Sequence, residues 1–303
     1  MKLLRSPLAP PLAFCALLGI SWLAQPQETH AVRGGVSYIS NKGGNIGVLV
    51  NAAGSLMVDA QFADVAPENE AAVVALGGGG PVYLINTHWH PDHTGGNAHF
   101  ASTAQIFAHL NVRRRLEGDS EIGGRVLNDT PRAALPVVLF KTGLKIYFGG
   151  EELHLIHAPR AHTDGDTIVY FKEARVIHMG DTYFSGGYPF IDISSGGSAQ
   201  GLIDAVEGVI SWAPEDAWVI PGHGQATDLR GLLAYLEMLK TIVARVRAGA
   251  ARSLDLDALL AEGVTRDFDS QWGGGFIDAR RLVESILADL PPSNETGQGA
   301  QDE

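Results

Sequence analysis

The sequence predicts a mixed α+β fold in which two sheets pack face to face and helices cover their outer surfaces, all within one domain. Three observations carry this. Apolar runs of strand length arrive in groups and do not alternate one for one with helices, which disfavours a doubly wound parallel sheet. The 303 residues, 45% hydrophobic and 18% charged, can bury a sizeable core. No Pro/Ser-rich linker and no short-period repeat divides the chain.

Residues 1–31 carry Lys2 and Arg5, an apolar run over 12–24 and small residues at Ala24 and Ala31, the pattern of a secretory signal peptide. The run is shorter than the roughly 20 residues that a transmembrane helix needs, and Pro7, Pro10 and Pro11 oppose a longer helix. Cleavage is expected after Ala31, with Ala24 as the other position of suitable size. The product is a domain over 32–290 that is periplasmic or secreted and has no membrane attachment. Cys15, the only cysteine, leaves with the leader, which suits an oxidising compartment. Segments 36–40, 46–51 and 55–59, separated by Gly-rich turns, read as consecutive antiparallel strands. Residues 68–76 read as a helix stopped by the glycines at 77–80, and 82–87 as a buried strand. There follow a strand over 105–108, a helix over 110–117 and strands over 144–148, 151–157, 167–171 and 176–179. Helices over 199–212 and 229–247 flank a short strand at 218–220, a helix over 279–290 closes the domain, and 291–303 is a polar tail.

Charge narrows the function. With 34 acidic against 22 basic residues the chain carries a formal charge of -12, so it has no electrostatic footprint for nucleic acid, and a small-molecule substrate is expected. With one cysteine available, metal chemistry falls to the histidines. Thr87-His88-Trp89-His90-Pro91-Asp92-His93 places three of them and a carboxylate directly after a strand. His88 and His90, two apart at a strand end, face the same side and can grip one ion, while beyond Pro91 the side chains of Asp92 and His93 can face a second. His162, Asp181 and His223 each follow a predicted strand, and strand-end loops converge at one sheet edge. Seven candidate ligands suit two ions. Imidazole and carboxylate donors favour zinc, and the same donors accept iron or manganese. Such an ion lowers the pKa of water to about 7 and polarises a carbonyl, so an acyl bond can be hydrolysed without a serine or cysteine nucleophile. The loop over 183–192 follows Asp181, and Tyr183, Phe184, Tyr188 and Phe190, together with Trp89, are candidates to wall a substrate pocket; packing the sheet edge is the competing role for these rings. His178 reads as a strand residue rather than as a support for Asp181, and Ser198 as a helix cap.

The order His-x-His-x-Asp-His, then His, Asp and His, resembles that of the metallo-β-lactamase-fold hydrolases over roughly residues 36–225. The resemblance implies an αββα sandwich with two zinc ions at the edge between the sheets. His88, His90 and His162 would hold the first, and Asp92, His93 and His223 the second. Asp181 would bridge them, so that Asp92 and Asp181 belong to the catalytic centre. An aspartate at the end of an early strand, here Asp59, commonly supports a ligand histidine from behind. The cysteine-bearing zinc β-lactamases have Cys where Asp181 stands and a carboxylate-anchoring Lys where Phe184 stands, so both β-lactam marks are missing. Related lactonases often carry Tyr at that second position, and the nearest tyrosine here is Tyr183. The Asp181 pattern is shared with glyoxalase II-like thioesterases and iron persulfide dioxygenases. The leading expectation is an exported dinuclear zinc hydrolase of a small ester, lactone, thioester or amide. A zinc β-lactamase and an iron-dependent persulfide dioxygenase-like oxidoreductase are the alternatives, and export argues against the second because persulfide chemistry depends on reducing thiol pools.

Overall fold

Short Gly-linked apolar segments open the first sheet, where β1 (Glu28–Arg33), β2 (Val36–Ser40), β3 (Ile46–Asn51) and β4 (Gly54–Val58) form an antiparallel meander. The computed structural model describes residues 27–291 apart from 119, 123, 124 and 128; most of the expected leader and the tail from 292 onward lie outside the described residues. Helix α1 (Ala66–Val73) carries the chain to β5 (Pro81–Ile85), parallel to β4. Two single-turn helices, α2 (Pro91–Thr94) and α3 (Asn97–Phe100), precede β6 (Gln105–His109) and α4 (Leu110–Glu117). After a hairpin of β7 (Ser120–Ile122) and β8 (Arg125–Leu127), β9 (Val138–Phe140) completes a sheet ordered β1-β2-β3-β4-β5-β6-β9.

The second sheet takes β10 (Gly143–Phe148), β11 (Glu151–Ala158), β12 (Asp166–Phe171) and β13 (Val176–His178) as antiparallel neighbours. Helix α5 (Ala199–Trp212) then crosses to β14 (Trp218–Ile220), parallel to β13, and β15 (Thr227–Asp228) forms the edge. The described residues close with α6 (Leu229–Ala250), α7 (Leu256–Glu262), α8 (Asp269–Trp272) and α9 (Ala279–Ala288).

Period-two alternation sorts the apolar side chains into three buried layers. In β4, Leu56 and Val58 point between the sheets, while Met57 packs with Ala66 and Val73 of α1. In the second sheet, Val169, Phe171, Val176 and Ile220 meet them from the opposite side. Their strand neighbours Ile168, Ile177 and Val219 pack under the helices with Leu202, Val206, Met238, Leu239 and Leu282. The layers are therefore α, β, β, α, as the sequence predicts, and the loops at the strand ends share one edge of the sandwich.

The expected boundaries of β2, β3, α4, α5 and β14 coincide with the observed ones, because turns and caps mark them; the Ser198 hydroxyl accepts from the Gly201 N–H at the start of α5. The helix expected over 68–76 stops at Val73 and continues as a wider turn through Gly78, where Gly77 adopts φ 102°. Strands β1, β7, β8, β9 and β15, and helices α2, α3, α7 and α8, have no counterpart in the sequence reading; they are short, and β1 is a partly exposed edge strand reading Glu-Thr-His-Ala-Val-Arg. It lies across the expected cleavage position. His30 stacks on Tyr38 with centroids 4.5 Å apart, and Arg33 pairs with Asp216 at 2.9 Å. Cleavage after Ala31 would divide this strand, whereas cleavage after Ala24 leaves it whole.

Outside the sheet edge, His109 links β6 to α4. Its Nδ1 accepts from the Asn111 N–H, its Nε2–H donates to the Lys141 carbonyl, and its ring stacks on His157 at 3.8 Å. Burial, followed by the neighbouring His157, pushes its pKa down to about 4. Because the folded value lies below the free one of 6.5, this contribution to stability is fully present above pH 6.5 and is lost as the pH falls through about 4. His109→Asn keeps a capping acceptor, so in urea unfolding followed from pH 6.5 to 4 it should remove one proton's share of the slope, about 1.4 kcal/mol per pH unit. An unaltered slope would contradict this role.

Candidate metal centre

Strand β4 ends at Val58, and Asp59 then takes a left-handed backbone conformation, φ 67°, which a non-glycine residue keeps only when its surroundings demand it. The demand is visible in its carboxylate. Oδ1 accepts from the Thr87 N–H at 2.7 Å, and Oδ2 accepts from the Thr87 hydroxyl at 2.7 Å and from the His93 Nδ1–H at 2.8 Å. Beyond β5, reciprocal amide hydrogen bonds between Asn86 and Asn97 pin the loop that carries His88 and His90. Pro91 opens α2, and its first turn brings the N–H groups of His93 and Thr94 back to the His90 carbonyl.

All seven expected ligands converge. Donor atoms of His88, His90, His162 and Asp181 lie within 4.8 Å of one another, as do those of Asp92, His93 and His223. Asp181 reaches both groups: its Oδ1 is 3.1 Å from His93 Nε2, and its Oδ2 is 3.5, 3.6 and 3.9 Å from the Nε2 atoms of His223, His162 and His88. Asp92 Oδ2 lies 3.3 Å from His223 Nε2 and 3.7 Å from His93 Nε2. Two glycines make this crowding possible. A Cβ on Gly44 would sit 2.1 Å from the His93 ring, and one on Gly222 2.0 Å from Asp181 Oδ1.

The outer hydrogen bonds decide which nitrogens are left for a metal. Carboxylate and carbonyl oxygens can only accept, so His90 Nε2–H donates to Asp192 Oδ2 at 2.9 Å and His162 Nδ1–H donates to the Phe190 carbonyl at 2.7 Å. The remaining nitrogens, His90 Nδ1 and His162 Nε2, face each other as lone pairs only 2.9 Å apart, a contact that calls for a cation. His88 Nδ1 lies 3.1 Å from the Thr87 hydroxyl, whose own proton goes to Asp59, so the hydroxyl oxygen accepts from Nδ1–H and Nε2 is freed. His88 Nε2, His93 Nε2 and Asp181 Oδ1 are buried without hydrogen-bond partners. Orphaned polar atoms of this kind, all converging, fit a bound metal.

Electrostatics agree. Burial, and next the neighbouring His93, hold His88 well below the usual imidazole value, and burial with His90 pushes His162 down to about 4, so both stay neutral as ligation requires. Burial opposes charge on His93 and His223 as well, yet Asp181 and Asp92 outweigh it; His93 is raised well above 6.5, and His223 to about 9. Despite its burial, Asp181 is held well below the usual carboxylate range by His93, His223 and His88. Asp92 and Asp181 thus set up at His93 and His223 a negative field that a bound cation would neutralise.

The aromatic candidates divide. Phe184 stacks on His223 at 5.4 Å and approaches His162 at 6.3 Å, and Phe190 lies 5.9 and 5.7 Å from His90 and His162. Trp89, Tyr183 and Tyr188 do not wall the pocket. Trp89 is buried among Ala108, Val112, Leu116 and Leu135 and donates its Nε1–H to Ser195. The buried Tyr183 packs on Tyr235 with its hydroxyl at Thr227, and the Tyr188 hydroxyl donates to Asp269. Their large rings find more apolar surface in the helical layer than a water-filled edge offers.

Asp59 supports His93 as the resemblance implies. His178 is a strand residue, its Nε2 directed to the Asn45 carbonyl and its Nδ1 accepting from the Gly180 N–H. Of the two carboxylates after His162, Asp166 caps the turn through Thr163, and Asp164 pairs with Arg115 at 2.8 Å. Sequence reasoning missed Asp192, which orients His90. The local signal was present in Asp192-Ile193-Ser194-Ser195, where the same carboxylate accepts from Ser194 and from the Ser195 N–H in an Asp-capped turn.

The chain belongs to the metallo-β-lactamase superfamily, which it matches over residues 40–233, more than half its length. Among curated relatives it is 28% identical over 152 residues to the probable metallo-hydrolase YqgX of Bacillus subtilis, covering 49% of this chain and 71% of that protein. It is 28% identical over 183 residues to a hydroxyacylglutathione hydrolase of Rhodospirillum rubrum, covering 60% of each chain. Among solved structures, the DIM-1 metallo-β-lactamase superposes with a TM-score of 0.59 at 16% identity, covering 72% of this chain and 99% of that one, a likeness of fold. The fold and the site therefore define a metal-binding hydrolase of this superfamily.

Proposed function

We propose that this protein is a dinuclear zinc hydrolase that opens small acyl substrates, thioesters and esters foremost, and that it works in the periplasm or outside the cell after loss of its leader. The observation that carries the reading is Asp181, whose two oxygens lie within reach of both donor groups. Two bound zinc ions would supply an activated water and polarise the acyl carbonyl. Each protein group then has a defined part. His88, His90 and His162 would hold one ion and Asp92, His93 and His223 the other, with Asp181 within reach of both. Asp59 and Asp192 set the tautomers of His93 and His90, so the ligand nitrogens are directed before metal arrives. Asp92 and His223, each 25% exposed, form the open side, while His88, His93 and His162 are fully enclosed, so substrate enters past Phe184.

Hydroxyacylglutathione, named for the Rhodospirillum relative, is a thioester, which favours an acyl–sulfur bond as the scissile one. At the position of the β-lactam carboxylate anchor, Phe184 lays an uncharged ring over His223, and a thioester or ester needs no such anchor. Chelation should abolish hydrolysis, and zinc should restore it. Across a kinetic panel, kcat/KM should be higher on uncharged thioesters and esters than on penicillins, cephalosporins or carbapenems. Full activity in metal-free protein, or carbapenem turnover above every ester and thioester, would overturn the reading.

A further inference from the structure

Residues beyond the family match reach the site. The loop after Asp181 is tied to the end of α8 by Tyr188, whose N–H donates to the Trp272 carbonyl at 2.9 Å and whose hydroxyl donates to Asp269 at 2.9 Å. The chain then runs through Gly273-Gly274-Gly275, where Gly275 comes against Gly187 of that loop, and delivers Phe276 beside Phe190 with ring centroids 6.4 Å apart. Phe190 in turn is within 6 Å of His90 and His162. A line of aromatic surface therefore leads outward from the metal ligands, starting at Phe190 and ending at Phe276, which is 59% exposed. An exposed phenylalanine alone is ordinary; one that extends a series of rings beginning at the ligands is not. Arg281 holds the outer ring in place, for its Nη1 donates to the Phe276 carbonyl at 3.2 Å and its guanidinium sits 5.2 Å from the ring centroid, within cation–π range.

We propose that Phe190 and Phe276, with Arg281 as the positioning residue, form a specificity-determining wall beside His90 and His162 that takes an aromatic group of the substrate. This rests on the hydrolase reading above and names its substrate class: aryl-substituted acyl compounds such as arylacetyl thioesters. Edge-to-face and offset contacts with a ligand ring at this spacing are the geometry that aromatic pairs favour.

Two thiols test the wall independently of turnover, because each can bind a metal through sulfur. Equilibrium binding of benzyl mercaptan and of ethanethiol to the zinc-loaded protein, measured by titration calorimetry, should show a preference for the aromatic thiol of about tenfold. Phe276→Ala should reduce that preference about three- to tenfold, Arg281→Ala should reduce it less, and Arg281→Lys should recover part of it. A purely structural role would weaken both thiols together and leave their ratio intact. The same ratio should appear in kcat/KM for phenylacetyl against acetyl thioesters, carried mainly by KM. Equal binding of the two thiols by the wild type, binding of neither, or an unchanged preference in Phe276→Ala would overturn the proposal. Intact thiol preference without thioester turnover would instead remove the hydrolase reading and leave the aromatic wall standing.

Discussion

Asp181→Ala should lower kcat/KM by at least about a hundredfold, the loss typical when one electrostatic group is taken from a catalytic centre, and should reduce bound zinc from two ions per chain to one or none. The reason lies in its position. Among the described residues, Asp181 is the single side chain with one oxygen 3.1 Å from His93 and the other within 4 Å of His88, His162 and His223, so its removal takes away the group that links the two donor sets. Metal content by mass spectrometry and kcat/KM on the same preparation measure both effects. Two zinc ions and undiminished turnover in Asp181→Ala would mean that the carboxylate bridges nothing.

Asp59→Ala should be the most destabilising substitution near the site. It leaves the Thr87 N–H, the Thr87 hydroxyl and the His93 Nδ1–H without their acceptor inside the protein, at a cost of about 3–5 kcal/mol in chemical denaturation of the metal-free chain. Asp59→Asn separates this cost from ligand orientation. Asparagine tolerates the left-handed backbone and keeps one acceptor, so the protein should fold. Its amide N–H₂ can face His93 Nδ1 and drive the proton to Nε2, where a lone pair is needed. Zinc affinity, measured by competition with a chromophoric chelator, should then fall about 10–100-fold. Wild-type affinity in Asp59→Asn would contradict the tautomer argument.

These two aspartates also mark what the sequence makes legible. His88 to His93 can be read directly, because close spacing after a strand fixes which side chains share a face, and the loop positions of His162, Asp181 and His223 follow from strand ends. The two-sheet fold follows from apolar runs that arrive in groups, whereas the sorting of Leu56 and Val58 from Met57 emerges only in the packed layers, because all three side chains are apolar. Composition does not separate a ring at the mouth from a ring in the core. Trp89, Tyr183 and Tyr188 look like Phe184 and Phe190 in sequence, yet each of the first three turns into a packed layer where its polar atom finds Ser195, Thr227 or Asp269. Asp192 and Phe276 act on histidines and rings that folding alone brings near: 102 positions separate Asp192 from His90. The edge strands β1 and β9 escape for another reason, since a short strand with one exposed side shows too little alternation to register.

Anomalous diffraction from crystals of the zinc-loaded protein, collected on both sides of the zinc absorption edge, tests the central claim most directly. Two peaks are predicted about 3.5–4 Å apart, one among His88, His90 and His162, the other among Asp92, His93 and His223, with Asp181 between them. A single peak, or peaks away from these side chains, would contradict a dinuclear centre.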